Sequence, residues 1–113
     1  MTETIRAALV AAPPKFDPGR VVMTPGAIEV LANNNALVST YLVRHVTGDW
    51  GDLEPCDKRA NDSDLKVGRR VLSAYKLANS DTIWIVTDAV DVIQPTDDPL
   101  KRDVTTVLLP SEY

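Results

Sequence analysis

Residues 69–88, RRVLSAYKLANSDTIWIVTD, constrain the fold more than any other stretch of the chain. In RRVLSAYKL, Arg69, Val71, Ser73, Tyr75 and Leu77 fall on one side of an extended backbone, and Arg70, Leu72, Ala74 and Lys76 on the other. That is the two-residue period of a strand. ANSD at 78–81 is a turn signal, and TIWIVTD at 82–88 is β-branched and aromatic enough to return as its partner. VTTVLLP at 104–110 has the same character and is stopped by Pro110. A three-stranded antiparallel meander is therefore expected, interrupted at 89–103 by AVDVIQPTDDPLKRD, a connector rich in proline and charge.

The first half reads differently. Met1 to Ala12 has Ile5, Leu9 and Ala12 at helical spacing and reads as a short helix or an arm. PPKFDPG at 13–19 breaks regular structure, and RVVMT at 20–24 reads as a short strand. Thr24-Pro25 is a helix start, with threonine as N-cap and proline in the first turn, which predicts a helix over Gly26–Leu31. Ala36 to Val46 is the clearest helix, because Leu37, Val38, Tyr41, Leu42, His45 and Val46 share one broad face. Gly48 is placed to stop it, and DKRANDSDLKVG at 57–68 could form one more short helix. The sum is an α+β fold in which a short strand and two or three helices precede the meander. The domain plan is an N-terminal arm and connector at 1–19 followed by one domain over 20–113.

With 113 residues, 44% apolar and 25% charged, the composition is that of one globular domain. The net charge of -4 gives no global basic field, so a nucleic-acid site would need a local patch. Lys66, Arg69, Arg70 and Lys76 form the one dense basic group, either a guarded strand edge or a phosphate patch. A single Cys56 excludes an internal disulfide framework, and with no leader-like start the expected compartment is the cytoplasm. No apolar run approaches the ~20 residues that cross a bilayer. Nucleotide, dinucleotide, zincin and hydrolase motifs are all missing, so no cofactor and no metal are expected.

YLVRHVTGDWGDLEPCD, residues 41–57, holds the one histidine, the one cysteine and one of two tryptophans. As chemistry, His45 would act as base, with Asp49 as acidic partner, Arg70 as the cation for a phosphate, and Ser73 and Tyr75 as further polar groups, the set of a metal-independent phosphodiester-cleaving enzyme. Strand alternation puts Arg70 and Ser73 on opposite faces, so both join one site only through a bulge. As structure, the same His45 is a hydrogen-bonded core residue whose charged form the helix C-terminus favours. On this reading Asp49 and Asp52 bond to turn backbone, and Trp50 is a plug between Gly48 and Gly51. For a binding protein the candidates are Trp50, Asp52, Arg69, Asp97 and Asp98. Cys56 reads as inert, and Tyr75 and Trp84 as a packing pair or two core residues.

RVVMTPGAIEVL, RHVTGDWGDLEPCDKRAND, GRRVLSAYKL, IWIVTD and VTTVLLPSEY together resemble a family of small proteins carried on bacterial plasmids, integrative elements and prophages. The blocks H-x-x-G-D-W-G and T-T-x-L-L-P-x-E-Y carry the resemblance, which brings no activity with it. Residues 89–103 look like an insertion relative to that family and mark a candidate interaction loop. The element order is also similar to the barnase and RelE-like ribonucleases, an analogy of fold alone. Two functions are expected from these readings: an accessory protein of a mobile element that binds a host or defence protein, or a ribonuclease-like enzyme centred on His45. A protein partner is the primary expectation, nucleic acid through the basic patch the second, and no membrane partner is expected.

Overall fold

A computed structural model describes residues 13–90 and 98–113. The expected helix or arm at 1–12, and part of the 89–103 connector, lie outside the described residues. The elements are β1 (Arg20–Met23), α1 (Pro25–Asn33), α2 (Val38–Val46), α3 (Pro55–Lys66), β2 (Val71–Lys76), β3 (Thr82–Thr87), β4 (Val104–Leu108) and a 3-10 turn (Pro110–Glu112). This is the expected α+β class.

One sheet holds all four strands in the order β1-β4-β3-β2. The meander is present: β2 pairs with β3, and β3 with β4, both antiparallel. β1 joins β4 in parallel, with Arg20 opposite Val104 and Met23 opposite Val107. The α1 and α2 segments cover the sheet face that carries Tyr75, Ile83, Ile85 and Val107, all fully buried, with Ala27 and Leu31 of α1 in the same core. Each such aliphatic side chain contributes roughly 1.5–3 kcal/mol when fully buried.

The helix boundaries follow local chemistry. Thr24 caps α1, its Oγ1 accepting from the Ala27 N–H at 3.1 Å. The α2 helix closes through a Schellman pair, in which the Asp49 N–H donates to the Arg44 carbonyl at 2.9 Å and the Gly48 N–H to the His45 carbonyl at 3.2 Å. Gly48 holds φ +83° there, as the stop signal requires. Leu37, assigned to the apolar stripe, is instead the N-cap of α2 and 66% exposed. The α3 helix begins two residues before Asp57 because Pro55 opens it, and it is the longest of the three at 12 residues. Its polar sequence buries only Asn61 and Leu65.

Candidate functional site

His45 is fully buried. Its Nδ1 lies 2.5 Å from Ser73 Oγ and its Nε2 lies 2.8 Å from Thr87 Oγ1. Thr87 Oγ1 is 2.8 Å from Thr105 Oγ1, which donates to the Pro18 carbonyl at 2.8 Å. A carbonyl only accepts and a hydroxyl carries one hydrogen, so the end of this chain fixes the protons as far as His45 Nε2, and the neutral state of the ring fixes the last one. Thr105 donates to Pro18, Thr87 therefore donates to Thr105, and Thr87 must accept from His45. The ring is thus the Nε2–H tautomer, and Nδ1 accepts from the Ser73 hydroxyl. Burial, reinforced by the Arg102 charge, lowers the His45 pKa to about 3. The imidazole is neutral, so the protonated form anticipated from the helix dipole is not the resting state: desolvation outweighs the α2 C-terminus.

Strand parity places these groups. Ser73 on β2, Thr87 on β3 and Thr105 on β4 all point to the inner face, with Thr87 and Thr105 opposite each other in register. Phe16 and Trp50 close the site. Their rings stack at 6.4 Å and each meets the His45 ring edge-on, at 5.4 and 5.5 Å. Trp50 is 2% exposed and its Nε1 donates to Asp62 Oδ1 at 2.9 Å, which makes it the plug that its glycine-bracketed position suggests.

The other candidates do not gather around His45. Asp49 accepts from Arg44 Nε at 2.7 Å and from the Gly51 N–H at 3.2 Å. The Arg44 bond holds its carboxyl below the usual range. Asp52 accepts from the Lys76 backbone N–H at 2.9 Å. Tyr75 shares the inner face, but its hydroxyl donates to the Asp49 carbonyl at 2.6 Å, and burial raises its pKa. Its aromatic neighbour is Tyr41, at 5.4 Å. Trp84 lies on the opposite face, edge-on to Tyr113, so the expected Tyr75–Trp84 pair does not form.

Arg70 is a correction to the catalytic set. It sits on the outer face with its guanidinium 5.3 Å from the Tyr113 ring centre, and the sheet separates it from His45. No bulge brings it inward. Arg69 is exposed and 3.7 Å from Asp64. Asp98 forms a turn by accepting from the Leu100 N–H at 2.9 Å, and Asp97 lies outside the described residues. Cys56 is exposed. Among the described residues, no group of acidic, cysteine or histidine side chains could hold a metal ion.

The residue that sequence reading missed is Arg102. It is 2% exposed and donates to the carbonyls of Leu65 at 3.1 Å, Arg69 at 2.8 Å, Asp88 at 3.1 Å and Pro99 at 2.5 Å. Its charge rests on the carbonyl-rich end of α3, where the helix dipole is negative. Burial lowers its pKa. Thr87 and Thr105 were also missed, although polar residues at inward strand positions beside Ser73 were the available signal. A groove of about 750 Å³ lies between 14–18, α2 and 98–101, with Phe16, Leu42, Val43, Val46 and Leu100 in its wall.

Chemically, Ser73 and His45 have the spacing of a hydroxyl and its general base. What they lack is access and a carboxylate, and the nearby Arg102 guanidinium is taken up by backbone carbonyls. No helix among the described residues is long and apolar enough to cross a membrane. Comparison with protein-family models, curated proteins and solved structures gives no match to this chain.

Proposed function

We propose that this chain is a non-catalytic binding protein, an accessory factor of a bacterial mobile element that acts by engaging a host or defence protein. The observation that carries this reading is the closure of His45. Both ring nitrogens are taken up by hydroxyls, and the imidazole has no exposed surface. A general base has to reach the proton it removes, and this one faces only its own chain. The acidic balance agrees with a protein partner, since the net charge of -4 opposes approach to a phosphate backbone. The mobile-element part rests on the resemblance of the H-x-x-G-D-W-G and T-T-x-L-L-P-x-E-Y blocks.

The test is direct. Purified wild type and Ser73→Ala are incubated with mixed RNA at neutral pH, with and without divalent cation. The binding reading expects no cleavage by either. Cleavage by wild type that is lost in Ser73→Ala, with circular dichroism showing that variant still folded, would establish the enzyme and remove this proposal.

A further inference from the structure

The two edges of the sheet are finished in opposite ways. At the β2 edge the chain satisfies its own outward groups one after another. The Asn61 side chain donates to the Leu72 carbonyl at 2.8 Å and accepts from the Leu72 N–H at 3.3 Å. The Ala74 N–H donates to the Trp50 carbonyl at 3.2 Å, the Ala74 carbonyl accepts from Asp52 N–H at 2.7 Å, and the Lys76 N–H is held by the Asp52 carboxylate at 2.9 Å. That edge offers nothing to another chain.

The β1 edge is different. The Arg20 N–H donates to the Asp103 carbonyl at 2.9 Å and the Thr24 N–H to the Val107 carbonyl at 3.0 Å, so the even-numbered residues face β4. By alternation the N–H and C=O groups of Val21 and Met23 point away from the sheet. Among the described residues no hydrogen bond reaches them. Strand edges are normally protected by shortness, charge, proline, a bulge or a covering segment; β1 is short and opens on Arg20, but its Val21–Met23 stretch carries no charge and no proline. Val21 is 38% exposed, and Ile28 on the following helix is 52% exposed.

We propose that the free edge of β1 docks an extended segment of a partner protein, which adds to the sheet as a further strand beside Val21–Met23 and sets an acidic side chain near Arg20. This rests on the binding-protein reading and names the surface that does the binding. The backbone groups define the ligand: two donors and two acceptors in an edge geometry are matched only by another extended chain. Arg20, exposed at the start of the strand, supplies the charge preference. A second copy of this chain is the poorer occupant. Two copies with a charge of -4 each repel.

The experiment uses the full chain and a displayed library of random peptides of about twelve residues, the length of an added strand with flanks. The variant Val21→Pro removes an outward N–H while leaving the Arg20 and Thr24 bonds to β4 in place. Arg20→Glu is the second variant and changes only an exposed side chain. The expected result is enrichment of β-branched peptides with an acidic residue. These should shift the amide resonances of Val21 and Met23, bind Val21→Pro at least about tenfold more weakly and lose affinity for Arg20→Glu. The proposal is overturned if no peptide is enriched, or if enriched peptides bind both variants as well as wild type. Resonance shifts confined to other surfaces, or a wild-type dimer that Val21→Pro abolishes, would overturn it too. Peptides bound elsewhere would remove this edge and keep the binding-protein reading, whereas RNA cleavage would remove the reading itself.

Discussion

Ser73 donates its hydroxyl proton to His45 Nδ1 across 2.5 Å, in a position where neither side chain touches solvent. The direction follows from the far end of the chain, where Thr105 must donate to the Pro18 carbonyl, together with the neutral state of the imidazole, which leaves Nδ1 bare. The arrangement ties α2 to three strands and to the segment before β1. In this account His45 is a structural crosslink.

Removing either hydroxyl partner should therefore destabilise the fold. Ser73→Ala leaves Nδ1 without a donor, and Thr87→Val leaves the Nε2–H without an acceptor. Each should cost about 1–3 kcal/mol, the penalty for an unsatisfied buried polar group. Urea unfolding followed by circular dichroism measures it, and losses under 0.5 kcal/mol would count against the network.

Acid should weaken the fold through the same residue. The His45 pKa is about 3 in the folded chain, against 6.5 for an ordinary imidazole. Between those values the unfolded chain binds a proton that the folded chain refuses, so the contribution is complete above pH 6.5 and is lost as pH falls toward 3. From pH 7 to pH 4.5 the loss should reach roughly 2.5 kcal/mol. Unfolding free energies for wild type and His45→Gln over this range provide the check. The glutamine variant should show the shallower slope, and equal slopes would contradict the assignment. Asp49 also has a lowered pKa, so its loss comes at the acid end and adds below this window.

The two glycines of the turn should differ in cost. Gly51 has φ +77°, and a methyl there would overlap the Ala74 carbonyl oxygen, a backbone atom that forms the edge bonds of β2. Gly48 has φ +83°, and its methyl would meet the Lys15 side chain, Nζ first at 2.9 Å, which is free to swing away. Gly48→Ala should cost about 1–2 kcal/mol, the left-handed penalty alone. Gly51→Ala should cost more than about 3 kcal/mol or prevent folding. Comparison of melting temperatures tests the order.

Arg102 should not tolerate lysine. A guanidinium reaches four carbonyls from one plane, whereas an ammonium has three donors at one point. Arg102→Lys should lose about 2–3 kcal/mol in urea unfolding, since it leaves buried groups unpaired. A neutral result would mean that the carbonyls find water.

Sequence carried some of this and hid the rest for physical reasons. The meander was visible because β2 and β3 alternate around a short turn, and the α1 start because Thr24-Pro25 is local chemistry. The pairing of β1 with β4 was not, because its partners lie some eighty residues apart and leave no local mark. The α3 helix reads two residues late from sequence, because its polar composition buries only Asn61 and Leu65 and leaves no apolar stripe to fix its ends. The stretch 41–57 drew notice as a possible active site, yet its partners came from inward threonines that look like ordinary strand formers. Phe16 sat in a proline-rich segment read only as connector, and Arg102 among loop charges with nothing in sequence to mark its burial.

The most direct test is the protonation state of His45 itself. Long-range proton–nitrogen correlation spectra, recorded from pH 7.5 to pH 4.5, report each ring nitrogen separately. The account predicts a proton on Nε2, a bare Nδ1, and no titration across the range. Both nitrogens titrating together with a midpoint near 6.5 would mean an imidazole open to solvent, and would contradict it.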